Sequence, residues 1–111
     1  MVSILVVDDE ESILQAFRFL LRKKYTVFLC NSGKKALDEI ERVNIDIVLL
    51  DIIMPDIDGL EVLEKIKEKN PDIEVIMVTA TKTVETAVKA MKLGAYDYIV
   101  KDIILSTTNF G

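Results

Sequence analysis

Residues 3–21 read "SILVVDDEESILQAFRFLL", and the change of period inside this stretch decides the fold. "SILVV" (3–7) is apolar without interruption after its serine, as expected of a strand buried on both faces. Four consecutive acids, Asp8 to Glu11, then intervene. Beyond them Ile13, Leu14, Phe17, Leu20 and Leu21 recur at helical spacing, with Arg22, Lys23 and Lys24 at the end where cations suit the helix dipole. A doubly buried strand feeding an amphipathic helix is the opening unit of an α/β fold. The acids between them pose a question, because like charges at a strand mouth repel and need another group to reach them.

The same unit recurs outward along the chain. "YTVFLC" (25–30) reads as a second strand, and "NSGKKALDEIERV" (31–43) as a short helix with Ala36, Leu37 and Ile40 on one face. "DIVLL" (46–50) is a third strand that stops at Asp51, and "GLEVLEKIKEK" (59–69) a helix with Leu60, Leu63 and Ile66 inward, closed by Asn70-Pro71. "EVIMVT" (74–79), "TVETAVKAMKLG" (83–94) and "DYIV" (97–100) supply a fourth strand, a fourth helix with Gly94 as left-handed cap, and a fifth strand reaching Lys101. Met54, Met77 and Met91 read as core residues. Five strands alternating with four helices predict a doubly wound parallel sheet, and 2-1-3-4-5 is a common order for five strands.

Composition narrows the function. At 111 residues the chain makes one core, and a net charge of −5 with no basic stripe argues against direct nucleic-acid binding. The absence of histidine removes imidazole metal sites and histidine acid–base chemistry. Cys30 is alone, which suits a reducing cytoplasm, and no apolar run approaches membrane-spanning length.

In the order 2-1-3-4-5 a ligand site lies beyond the carboxyl ends of strands 1 and 3, with neighbouring strands about 4.8 Å apart. Asp8 and Asp9 follow strand 1, Asp51 follows strand 3, Thr79 ends strand 4 and Lys101 follows strand 5, so all five are expected at one rim. Three crowded carboxylates raise one another's pKa unless a cation joins them. Mg²⁺ is a hard cation usually held by one or two carboxylates, waters and phosphate oxygens, and Asp8, Asp9, Asp51 and the backbone carbonyl of Ile53 suit it. A carboxylate is also a nucleophile that forms an acyl phosphate, and Asp51 is the central candidate. Lys101 offers a point charge to the phosphoryl group and the Thr79 hydroxyl a donor, while small Ala80 leaves room. In "MPDIDG" (54–59) Pro55 presets a turn and Gly59 permits entry into the helix. Glu10 and Glu11 are explained as helix-capping and first-turn acids with at most a peripheral role.

"ILVVDDEESI", "IVLLDIIMPDIDGLEVL", "VIMVTA" and "GAYDYIVK", in this order and spacing over residues 4–101, resemble a response-regulator receiver domain, flavodoxin-like (CheY-like) in fold. The resemblance implies that Asp51 is the phosphorylated residue, that Asp8 and Asp9 bind Mg²⁺, and that Thr79 and Lys101 sense the phosphoryl group. It further implies that Tyr98 turns inward when Thr79 shifts, that a sensor histidine kinase is the donor, and that a downstream effector reads the surface around helix 4 and strand 5. The domain then catalyses its own phosphorylation and dephosphorylation but acts on no outside substrate. "TVETAVKAMKLGAYDYIVK" also resembles receivers attached to sigma-54-type (NtrC-like) transcription activators.

The chain departs from that family after residue 101. Asp102 stands where the family has a proline on a cis bond, and a cis non-prolyl bond costs about 3–4 kcal/mol, so a trans bond is expected. "DIILSTTNFG" (102–111) is too short for the usual fifth helix, so the expected division is a receiver over 1–101 and an atypical tail over 102–111. The face that helix would cover then favours homo-oligomerisation, a partner or the folded-back tail. Two other classes fit less well. A flavin-mononucleotide site should welcome phosphate at its first loop, which "DDEES" repels, and an aspartate-nucleophile phosphatase wants its DxD after strand 1. An unphosphorylated receiver-like adaptor or dimerisation module is the rival reading.

Overall fold

The structure, a computed structural model, describes residues 1–80 and 83–101. In chain order the elements are β1 (Ser3–Val7), α1 (Glu11–Leu21), β2 (Thr26–Cys30), α2 (Gly33–Arg42), β3 (Ile47–Leu50), α3 (Gly59–Lys69), β4 (Glu74–Thr79), α4 (Val84–Lys92) and β5 (Asp97–Val100). The strands form one parallel sheet in the order β2-β1-β3-β4-β5. The doubly wound 2-1-3-4-5 arrangement expected from the alternation is therefore the fold. Readings that fall on residues 102–111, including the Lys101–Asp102 bond, the expected lack of a fifth helix and the tail, lie outside the described residues.

Register carries the site residues to one edge. Val7 pairs with Leu50, Leu50 with Met77, and Thr79 with Val100. The ladder continues one step past β1 and β3, where the Asp8 N–H donates to the Cys30 carbonyl at 3.1 Å and the Asp51 N–H to the Val7 carbonyl at 3.0 Å. The backbones of both aspartates are thereby fixed by ladder bonds.

Alternation along the strands sorts the core into two layers. Leu5, Val7, Val48, Leu50, Val75 and Met77 pack with Ala36 of α2, Val62, Leu63 and Ile66 of α3, and Ala90 of α4. Ile4, Val6, Leu49 and Val78 point the other way, onto Ile13, Leu14 and Phe17 of α1. Two expected core positions prove otherwise. Leu20 is exposed, as is its neighbour Phe19, because the buried stripe of α1 runs through Ile13, Leu14 and Phe17 to the partly buried Leu21, and residue 20 falls to one side of it. Met91 faces outward on α4, whose buried stripe is carried by the small Ala90. In α3, Leu60 packs half-buried against the layer as expected, beside the fully buried Val62, Leu63 and Ile66.

Helix ends follow local chemistry. The side chains of Ser32, Asp58 and Thr83 cap α2, α3 and α4 by accepting the backbone N–H of Lys35, Leu60 and Thr86. α4 ends in a Schellman motif: Ala95 N–H bonds to the Ala90 carbonyl, Gly94 N–H to the Met91 carbonyl, and Gly94 has φ +104°. α1 stops at Leu21, one residue before the basic run, and the Arg22 guanidinium bonds the Phe19 carbonyl at 2.8 Å.

Candidate functional site

Asp8, Asp51, Thr79 and Lys101 are the only buried polar or charged residues among those described, and all four lie at the carboxyl rim of the sheet. Burying them together costs solvation that only mutual pairing offsets. One carboxylate oxygen from each of Asp8, Asp9 and Asp51 lies within 4.8 Å of the other two, Asp9 being the exposed member. The Lys101 ammonium reaches into this group, 3.0 Å from Asp8 Oδ2 and 3.1 Å from Asp51 Oδ2. The expected convergence of acids and ammonium on one rim is thus present, and the like charge at the strand mouth has its counter-ion from strand 5.

The electrostatics reflect that balance. Burial pushes the Asp8 carboxyl above its usual range, and the Asp51 charge adds to it; the Glu10 N–H and Lys101 pull the other way without cancelling it. For Lys101, burial would favour the neutral amine, but hydrogen bonds to Asp8, Glu10 and Asp51 outweigh it and hold the ammonium above its ordinary value. The site is therefore charged and compact. Three carboxylates with oxygens this close form the hard-oxygen donor set that a divalent cation such as Mg²⁺ prefers.

The remaining expected residues fall as follows. Thr79 is fully buried at the end of β4, in register with the residue before Lys101. Ile53 lies two residues beyond Asp51 in the β3–α3 loop, with its side chain in solvent. Tyr98 is half-buried against the layer under α2, α3 and α4, where burial and the Asp51 charge both raise its phenol pKa.

Two features were not read from the sequence. Glu10 stands at the N-cap of α1, but its carboxylate caps nothing there and instead meets the Lys101 ammonium at 3.0 Å. A capping acid and a site acid look alike in a run of four, so only the contact separates them. Asp56, a turn residue of "MPDIDG", accepts the Gly33 N–H (3.2 Å) and the Lys34 N–H (2.9 Å), tying the loop after Asp51 to the start of α2. No local spacing signals a bond between residues so far apart in sequence.

Comparison with known proteins places this geometry. The family model described as "Response regulator receiver domain" matches residues 4–107. The chain belongs to the response-regulator receiver family. The transcriptional regulatory protein ZraR of Escherichia coli K12 is 45% identical to it over 103 residues, 92% of this chain and 23% of that protein. Among solved structures, the BeF3-activated receiver domain of DrrB superposes with a TM-score of 0.86 at 31% identity, over 99% of this chain and 96% of the other. A CheY-like receiver protein from Methanospirillum hungatei JF-1 gives 0.85 at 31% identity, over 99% and 93%. The receiver spans only about a quarter of the length of ZraR, and among the described residues no helix is long and apolar enough to cross a membrane.

Proposed function

We propose that this receiver takes a phosphoryl group from a sensor histidine kinase onto Asp51 and converts it into a changed surface around α4 and β5. The observation that carries the reading is the Asp51 carboxylate. It is buried at the mouth of the central strand, grouped with Asp8 and Asp9, and 3.1 Å from the Lys101 ammonium. A residue of that kind has no structural need at the end of "IVLL".

In the step, an Asp51 carboxylate oxygen attacks phosphorus, a P–O bond forms, and the P–N bond to the donor imidazole breaks with its electron pair leaving on nitrogen. Asp8, Asp9, Asp51 and the Ile53 carbonyl would hold Mg²⁺, which when bound supplies positive charge against the phosphoryl oxygens. Lys101 exchanges its bond to the Asp51 carboxylate for one to a phosphoryl oxygen. The Thr79 hydroxyl donates to another, and its movement opens space into which Tyr98 repacks. These differential contacts bias one conformation over the other, as a two-state switch requires. Attack of water on phosphorus restores Asp51, so the domain turns over its own acyl phosphate without an outside substrate.

The same reading assigns residues 1–101 to the receiver unit and 102–111 to a segment outside it. It sets the domain in the cytoplasm, beside an effector domain or protein. Its likeness to the transcriptional regulator ZraR supports the company of sigma-54-type activators. Self-association across the half-buried Ile76 and Ile99 side of the sheet belongs to the proposal too. Acetyl phosphate with Mg²⁺, followed by intact mass and size-exclusion chromatography, tests it. The parent should gain one phosphoryl group and Asp51→Asn none; a parent that gains no mass is an adaptor, and the reading fails.

A further inference from the structure

Lys101 has three N–H groups and three carboxylate partners: Asp8 Oδ2 at 3.0 Å, Glu10 Oε1 at 3.0 Å and Asp51 Oδ2 at 3.1 Å. Two of these acids belong to the group able to hold a metal ion, and Glu10 does not. The ammonium and a divalent cation therefore draw on the same two carboxylates, while Glu10 offers the ammonium an anchor outside the contested set. Residue 10 also engages that set through its backbone, whose N–H bonds Asp8 Oδ1 at 2.9 Å. Its side chain is free for this because it makes no cap bond to α1.

We infer that Glu10 is a positioning residue for Lys101: it draws the ammonium aside from Asp8 and Asp51 and so strengthens Mg²⁺ binding at the rim. The inference rests on the receiver reading and deepens it. Without the Glu10 charge, the Lys101 N–H groups concentrate on Asp8 and Asp51, and an incoming cation competes against a firmer ammonium. A plain surface acid would act only through its own field, weakly and without need of Lys101. Although the Glu10 side chain is 57% exposed, its partner's is 6% exposed, so solvent screens only one end of the pair.

The test is Mg²⁺ titration by calorimetry on the parent chain and on the Glu10→Gln, Glu11→Gln, Lys101→Met and Glu10→Gln/Lys101→Met variants. Glu11 carries the same charge one residue on, and its carboxylate bonds Gln15 instead of Lys101. Glu10→Gln should weaken Mg²⁺ by about three- to tenfold, the range open to a half-exposed ion pair. Glu11→Gln should stay within about twofold and Lys101→Met should tighten binding; in the Lys101→Met background Glu10→Gln should add less than about twofold. Equal effects of the two glutamate variants, or an undiminished Glu10 effect without Lys101, overturn the inference. If Lys101→Met does not fold, the comparison of Glu10→Gln with Glu11→Gln decides alone. A parent that binds Mg²⁺ and takes up phosphoryl while Glu10→Gln matches it refutes only this role; a parent that does neither refutes the receiver reading and the role with it.

Discussion

Gly59→Ala should damage both stability and phosphoryl acceptance, for a reason visible in three distances. A Cβ at residue 59 would lie 2.0 Å from the Asp51 carbonyl oxygen, 2.6 Å from the Ile52 Cα and 2.8 Å from the Asp51 carbonyl carbon. All three are backbone atoms and none can rotate away. Real Cβ contacts essentially never fall below 3.0 Å, so α3 and the end of β3 must part by about 1 Å. That displacement stretches the Gly59 N–H bond to the Ile52 carbonyl, now 2.7 Å, beyond hydrogen-bonding range. Overpacking of this kind costs about 1–3 kcal/mol and the lost bond about 1 kcal/mol more. The sum is a large fraction of the roughly 5–15 kcal/mol that holds a domain together. The moved atoms belong to the proposed phospho-acceptor, and a misplacement of about 1 Å costs around a hundredfold in rate. Urea unfolding followed by circular dichroism, with initial rates of acetyl phosphate uptake, measures both. Gly94→Ala is the control: its Cβ meets nothing nearer than the Lys67 side chain at 3.4 Å, so only the strain of φ +104° remains. That variant should lose about 1 kcal/mol and keep its uptake. A Gly59→Ala protein with the parent's midpoint and uptake rate would refute the close approach and the positioning argued from it.

Three further outcomes are expected. The Lys34 N–H foremost, with the Ile57 and Gly33 N–H groups, holds the Asp56 carboxyl below its usual range. Its contribution is therefore present above the unfolded value and lost as pH falls through the lowered folded one, below about pH 4. Asp56→Ala should be less stable than the parent at neutral pH and converge on it in urea midpoints measured toward pH 3. Burial pushes the Cys30 thiol up to about 11, with the Glu39 charge adding, so iodoacetamide at pH 8 should alkylate it slowly in the folded protein and rapidly in urea, as read by mass. Leu63→Ala, at a fully buried site, should cost about 2–5 kcal/mol, and Leu20→Ala, at an exposed one, less than about 0.5 kcal/mol, by denaturant midpoints.

The strand-and-helix order was legible because burial imposes different periods on the two elements. "SILVV", "IVLL" and "VIMV" read as doubly buried strands, and those segments form β1, β3 and much of β4. From there the right-handed crossover rule and the common five-stranded order bring residues 8, 51, 79 and 101 to one rim before any coordinate is known. Periodicity marks the inward face of a helix less sharply. Leu20 and Met91 are apolar yet outward, because each sits beside the buried stripe of its helix, which passes from Phe17 to Leu21 in α1 and from Ala90 to Leu93 at the end of α4. In the sequence Gly59 looks like a freedom of the turn, whereas what requires it is the close approach of the Asp51 backbone.

By itself the sequence determined which elements form, in what order they stack, and that acids and a lysine share an edge, since periodicity and chain topology are properties of the linear pattern. Only the tertiary structure decided which acid meets which cation. Glu10 and Glu11 are neighbours of identical charge, yet only Glu10 lies against Lys101. Asp56 closes onto α2 by bonds that span 22 and 23 positions. Hydrogen bonds and ion pairs depend on distances of a few tenths of an ångström, and those are set only when the packed core has fixed every backbone relative to the others.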